Sequence, residues 1–361
     1  MRLFRHAYHY LLGLLFIAIF PSCQEGENFE NITQLDDHFF LRNNGADMPV
    51  AVQGNFEDKI LVVFLQGGPA DGAQFLSYSR VFNQLEEHYA MAYWDQRATG
   101  SASGTFPTES LTRAQYVDDL EKLITLVQHR YGDDTNIFLM GISWGGMLGS
   151  AYLVKDNNQQ NIRGWIEING AHDYPMILET GPNKMMEVAD EQIAQGNSTN
   201  DWQAIRDFAV GFNAEDRRVE NYAEYVQEAI KAEELLYGDD VIELSTDLEN
   251  TGKLAFASSY HPLSSFFKNL LNSPNHHVSV DVANDTTVNA QLGRVTTPTL
   301  FLWGKYDLRV PQALAEDAYQ RLGTQEVDKE LVILERSTHP LPVNEPNRFY
   351  EEVVRFVNRH R

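Results

Sequence analysis

Residues 136–153 restrict the possible folds of this chain more than any other stretch. Asn136-Ile137-Phe138-Leu139-Met140 is an apolar run, and Gly141-Ile142-Ser143-Trp144-Gly145 follows it directly. After that, Gly146-Met147-Leu148-Gly149-Ser150-Ala151-Tyr152-Leu153 is small and apolar. The order predicts a buried strand, a sharp turn with a serine at its apex, and a helix packed closely against the strand it leaves. The two glycines let strand and helix approach, while the turn residue sits strained with its hydroxyl pointing out of the sheet.

Other segments supply the sheet that such a turn needs. Ile60-Leu61-Val62-Val63-Phe64-Leu65 is a continuous apolar run, as expected of a strand buried on both faces. Tyr89–Trp94, Gly164–Ile168, Thr299–Trp303 and Leu331–Leu334 are further strand candidates. His38–Arg42 and Pro49–Val52 flank Asn43-Asn44-Gly45, which predicts an opening hairpin. Thr112, with Gln115 three residues on, predicts a helix start, and Tyr116, Leu120, Leu123 and Val127 continue at helical spacing. Phe349, Val353, Phe356 and Val357 mark one face of a closing helix. Strands alternating with helices place the chain in the α/β class, with a mostly parallel, doubly wound sheet.

Between residues 176 and 290 charge, Asn and Gln dominate and strand-like runs are nearly absent. Helical candidates fall around Asn183–Gln195, Trp202–Phe212, Tyr222–Leu236 and Pro262–Leu271. The segment reads as a helical cap inserted between a first core part, 36–175, and a second, 291–361. A cap placed there covers the mouth above Ser143.

The N-terminus is read as an export signal. Arg2 and Arg5 precede the apolar run Leu11–Phe20, which is shorter than the roughly 20 residues of a membrane span. Pro21-Ser22-Cys23 follows, and Cys23 is the only cysteine of the chain. It falls where a bacterial lipoprotein signal places the residue to be lipidated, although Phe20 stands where such signals usually carry leucine. On this reading residues 1–22 are removed, and 23–35 form a tether whose part Gln24–Asn31 is acidic. The mature protein then hangs from the cell envelope by lipid, its one contact with a membrane. With 28 basic and 51 acidic residues the net charge is −23, which argues against charge-driven binding to nucleic acid or an anionic bilayer. No feature specifies an oligomeric state.

A serine hydroxyl is a poor nucleophile until a base takes its proton, and the base needs a carboxylate to hold its tautomer. In hydrolases of this strand order the partners follow as Ser, Asp or Glu, then His. Asp307 follows the late strand in Phe301-Leu302-Trp303-Gly304-Lys305-Tyr306-Asp307, and His339 follows the next one in Glu335-Arg336-Ser337-Thr338-His339. His172, His276 and His277 are weaker competitors for the base, because none follows a late strand. Glu335 and Asp328 are poorer candidates for the acid. A tetrahedral oxyanion needs preorganised N–H donors. The amide of Trp144 is one, and the other must come from Gly67 or Gly68 in Leu65-Gln66-Gly67-Gly68-Pro69, since proline has no N–H. No histidine–carboxylate cluster has metal-ligand spacing, and no cofactor is implied.

Taken together, these motifs resemble an α/β-hydrolase of the proline iminopeptidase type. That family carries His-Gly-Gly-Pro-Gly in its oxyanion loop, and Gln66-Gly67-Gly68-Pro69-Ala70 is similar with two changes. It carries Asp-Gln-Arg-Gly-x-Gly-x-Ser after the next strand, and Asp95-Gln96-Arg97-Ala98-Thr99-Gly100-Ser101-Ala102 is similar, again with two. Gly141–Gly146 resembles the nucleophile segment throughout. The resemblance implies Ser143, Asp307 and His339 as a triad, with Gly68 and Trp144 as oxyanion donors and a short peptide with N-terminal proline as substrate. Asp95 and Arg97 are expected to hold their loop. Aminopeptidases of this type bind the substrate's free amino group with cap carboxylates. Among Glu179, Glu187, Asp190 and Glu191, no spacing singles one out. A carboxylesterase or lactonase acting on small acyl substrates uses the same core. A non-catalytic binding lipoprotein keeping the fold alone is the reading from a different class.

Overall fold

The continuous apolar runs become the centre of a single sheet. A computed structural model describes residues 32–68, 72–243 and 287–361. Cys23, the helical candidate over 262–271, His276 and His277 lie outside them. The strands are β1 (Gln34–Asn43), β2 (Ala46–Asn55), β3 (Ile60–Leu65), β4 (Ala90–Trp94), β5 (Ser103–Gly104), β6 (Asn136–Ile142), β7 (Gly164–Ile168), β8 (Thr299–Gly304) and β9 (Lys329–Leu334). They lie in the order β1-β2-β4-β3-β6-β7-β8-β9, with β5 paired to β2. The pairs β1–β2 and β2–β4 are antiparallel and every later pair along the path is parallel. Asn44 (φ 43°) and Gly45 (φ 80°) close the opening hairpin, both at the positive φ that a two-residue type I′ turn demands. β1 begins at Gln34, two residues inside the stretch read as tether.

Every residue of β3, β4, β7 and β8 is buried, because helices cover both faces of the sheet. On one face Ile60, Val62 and Phe64 join a cluster with α1 (Arg80–Glu86) and α9 (Pro346–His360). Phe349, Val353, Phe356 and Val357 of α9 are all fully buried there, each contributing roughly 1.5–3 kcal/mol by leaving water. α2 (Arg113–Tyr131) and α3 (Trp144–Val154) pack against each other, with Tyr116 edge-on to Trp144 at 5.6 Å between ring centroids. The Thr112 hydroxyl accepts the Gln115 N–H at 3.3 Å and caps α2.

Between β7 and β8 the chain leaves the sheet as α4 (Tyr174–Gln195), α5 (Thr199–Gly211) and α6 (Val219–Gly238). The first starts nine residues ahead of the predicted Asn183. Asp173 caps it by accepting the Met176 N–H at 2.9 Å, and Pro182 lies inside the helix. α7 (Ala313–Arg321) and the short α8 (Leu341–Asn344) complete the later part.

Candidate active site

β6 ends at Ile142 and α3 begins at Trp144, so a single residue makes the turn. That residue is Ser143, with φ 55° and ψ −117°. A non-glycine residue held there costs about 1–3 kcal/mol and persists only when its surroundings fix it. They do so through the backbone: Ser143 N–H donates to Ile168 O at 3.0 Å, and its carbonyl accepts from Gly146 N at 2.9 Å and Ala171 N at 2.9 Å. The flanking glycines are required by close approach. A Cβ on Gly141 would lie 2.4 Å from Gly145 O, and one on Gly145 only 2.0 Å from Leu65 O.

Asp307, three residues past β8, is fully buried. Its Oδ1 accepts the N–H groups of Arg309 at 3.0 Å and Val310 at 2.8 Å. That leaves Oδ2 to accept from His339 Nδ1 at 2.9 Å. The His339 ring, on the loop after β9, is 12% exposed. Donation through Nδ1 leaves Nε2 as the basic nitrogen. Asp307 and His339 are thus brought together across 32 residues of chain, while Ser143 sits at the end of the strand two positions over in the sheet.

Gly67 lies beside Ser143, since a Cβ there would stand 3.4 Å from Ser143 Cβ. Gly68 is half-buried next to it, and Trp144 is buried with its indole donating to Gln96 Oε1 at 3.1 Å. Gln66 is buried and donates to Thr99 Oγ1 at 2.6 Å, tying the glycine loop to the segment after β4. In that segment Arg97 forms a bidentate pair with Asp119, at 2.5 and 2.7 Å, with both side chains fully buried. Ala98 sits at φ 62°, in the left-handed region that favours glycine.

α6 lies against the Asp307 and His339 loops. Tyr225 Oη donates to Leu308 O at 2.5 Å, Glu233 Oε1 accepts from Leu308 N at 3.1 Å, and Glu233 Oε2 pairs with Arg309 Nε at 2.9 Å. Tyr237 hydrogen-bonds Thr338 Oγ1 and accepts from Asn344 Nδ2 at 3.2 Å. Burial raises the Glu233 carboxyl to about 7; Arg309 opposes the rise and the Asp307 charge adds to it. Sequence reasoning passed over Glu233. The available signal was an acid on the same helical face as Tyr225, Ala229 and Leu236, all of which are buried.

The weaker candidates lie elsewhere. His172 is fully buried, with Nδ1 2.5 Å from Glu167 Oε1. Burial works against its charge, but the Glu167 carboxylate outweighs this and its pKa is raised. Glu335 pairs with Lys305 at 2.9 Å, and Asp328 lies 4.0 Å from His360. Of the four acids noted on α4, three are ion-paired: Glu179 with Arg217, Glu187 with Lys184 and Asp190 with Arg206. Glu191 accepts from Tyr306 Oη at 3.3 Å.

Residues 60–339 match a family described as alpha/beta hydrolase fold. A proline iminopeptidase of Saccharolobus solfataricus is 25% identical over 298 residues, covering 82% of this chain and 84% of the relative. One from Flavobacterium johnsoniae is 26% identical over 262 residues, covering 72% and 78%. Among solved structures, proline iminopeptidase of Mycobacterium smegmatis superimposes with TM-score 0.56 at 17% identity, covering 90% of this chain and 98% of that one. An esterase from Exiguobacterium antarcticum does so with TM-score 0.55 at 18% identity, covering 90% and 100%.

Proposed function

Since this chain belongs to the alpha/beta hydrolase fold family, we propose that it is a serine hydrolase working through an acyl-enzyme, of the proline iminopeptidase type, on short peptides. The Asp307–His339 hydrogen bond of 2.9 Å carries the reading. It joins, from separate loops, the two residues that an activated serine requires. Ser143 Oγ attacks the scissile carbonyl as its proton passes to His339 Nε2, and buried Asp307 stabilises the imidazolium. The N–H groups of Trp144 and Gly68 receive the negative charge on the carbonyl oxygen. His339 returns the proton to the leaving amine, and water then releases the acid by the same steps in reverse. α4, α5 and α6 act as part of a cap over this site.

A second reading has one specific observation in its favour. Three of the four acids noted on α4, Glu179, Glu187 and Asp190, are each engaged by a cation, which leaves Glu191 among them for a substrate ammonium. A small ester or lactone needs no such carboxylate. Hydrolysis of a prolyl arylamide and of a short-chain aryl ester, with Ser143→Ala as control, separates the readings. Amide turnover abolished in the variant supports the peptidase. Ester turnover alone supports the esterase. No turnover of either, together with no labelling of Ser143 by a fluorophosphonate, supports a non-catalytic binding protein. The export signal and lipid attachment at Cys23 are part of this proposal and place the enzyme on the cell envelope.

A further inference from the structure

Asn169 is the first residue beyond β7, fully buried and at φ 46°. Its main chain extends the ladder to β8 by donating to Leu302 O at 3.1 Å. Its side chain leaves the ladder. Oδ1 accepts the N–H of Gly304, the last residue of β8, at 2.9 Å. Nδ2 donates to His339 O at 2.8 Å and to Thr338 O at 3.3 Å. Gly304 O in turn accepts from Asp307 N at 3.1 Å, and Ser337 O from Tyr306 N at 2.9 Å. The residues on either side of Asn169 grip the serine turn: Ile168 O accepts from Ser143 N, and Ala171 N donates to Ser143 O. One short segment at the end of β7 therefore holds Ser143 through its backbone and the other two loops through a single amide.

We infer that Asn169 is a positioning residue for the hydrolysis proposed above, its side-chain amide setting the His339 and Asp307 loops against the strand end that holds Ser143. The inference rests on that serine-hydrolase reading. The donor pattern is specific. Gly304 N–H finds an acceptor in Oδ1, while Nδ2 donates to Thr338 O and to His339 O, which also accepts from Leu341 N at 2.9 Å, so one short amide serves all three groups. A carboxylate here would face two carbonyl oxygens, and an apolar side chain would take the side-chain partner from Gly304 N and Thr338 O and leave His339 O only the Leu341 N–H, at 2.9 Å. Asn169 bonds the backbone of His339 and neither its ring nor the space in front of Ser143. Its loss acts on the reach of the imidazole toward the serine, so it lowers kcat and leaves KM nearly unchanged. A misplacement of about 1 Å is enough to cost roughly 10²-fold.

Asn169→Gly and Asn169→Asp test this in the full chain. Glycine accepts the left-handed backbone and removes only the amide. The rate of Ser143 phosphonylation by a fluorophosphonate reports the activated serine independently of substrate, and near-ultraviolet circular dichroism reports the fold. For folded Asn169→Gly we expect phosphonylation and kcat to fall about 10- to 100-fold, with KM within about threefold. For Asn169→Asp we expect the same loss at pH 8 and partial recovery of the variant-to-wild-type ratio as the pH falls, because the protonated acid regains a donor for His339 O. The facing groups Asp307, His339, Glu167 and His172 are common to both proteins, so the ratio removes their contribution. A folded Asn169→Gly phosphonylated within about twofold of wild type would overturn the inference alone. If that variant does not fold, a pH-independent ratio in Asn169→Asp overturns it. Wild type that is folded but unlabelled overturns both this inference and the serine-hydrolase reading.

Discussion

Replacing Gly145 by alanine tests whether close packing at the β6–α3 turn sets the geometry of the site. The new Cβ would lie 2.0 Å from Leu65 O, 2.7 Å from Leu65 C and 2.8 Å from Gln66 O. All three are backbone atoms, so no side chain can rotate away. Ordinary contact begins at 3.4 Å, and the shortfall against Leu65 O is therefore about 1.4 Å. The helix cannot retreat to the other side, because Gly146 already faces Gly170 there, where a Cβ would stand 2.4 Å from Gly170 Cα. β3 is held by β4 on one side and β6 on the other. Relief must come from the Gln66–Gly68 loop or from the Ser143 turn itself. Forcing extra volume into such a site costs about 1–3 kcal/mol of stability, and moving the reacting groups by more than 1 Å costs roughly 10²-fold or more in rate. Thermal unfolding and the fluorophosphonate labelling rate measure the two effects. Gly149→Ala is the control: its Cβ would meet the Trp165 ring at 2.1 Å, farther along α3. It is expected to lose stability while labelling at close to the wild-type rate. Gly145→Ala with unchanged unfolding temperature and labelling within threefold of wild type would refute the steric reasoning.

Glu233→Gln should gain stability relative to wild type as pH rises from 5 to 8. The Glu233 carboxyl is raised, chiefly by burial, to about 7. It therefore binds its proton more tightly in the folded chain, and the stability this contributes is full below the unfolded value near 4.3 and lost as pH climbs through about 7. Glutamine does not titrate, so a gap between the two proteins that stays constant in urea unfolding at both pH values would contradict the assignment. Arg97→Leu leaves Asp119 buried with only Asn43 and Gln115 as side-chain partners, at 2.7 and 3.1 Å. Breaking such a pair costs about 3–5 kcal/mol, and the same urea experiment should show Arg97→Leu/Asp119→Leu recovering part of it. Cys23→Ser should move the protein from the membrane pellet to the soluble fraction in a bacterial host; identical fractionation of variant and wild type would exclude lipid attachment at that residue.

The chain's local chemistry determined the sheet. Buried parallel strands are apolar on both faces, so β3 coincides with its apolar run residue for residue; β7 matches the predicted Gly164–Ile168, with the one buried acid Glu167 paired to His172. Strand ends were less legible: β9 starts at Lys329 rather than Leu331, since hydrogen bonding to β8 continues past the apolar stretch. α4 shows how a local stop signal can be overruled. Pro182 reads as a helix boundary, yet the Asp173 cap starts the helix upstream, and the Gly181-Pro182 face is buried against α6, where a Cβ on Gly181 would meet Tyr225 Oη at 1.9 Å. The energy of that packing does not appear in the local sequence.

The placement of Ser143, Asp307 and His339 at strand ends was legible because each follows a strand in a fixed chain order, and order along the chain becomes order across a parallel sheet. What holds them was not. Asn169-Gly170 after a strand reads as an ordinary turn, and Glu233 reads as one acid among many on a charged helix. Their roles come from contacts over long stretches of sequence: Asn169 to His339 O across 170 residues and Glu233 to Leu308 N across 75. A hydrogen bond of that separation is specified by where the fold brings two segments together, which only the tertiary structure decides.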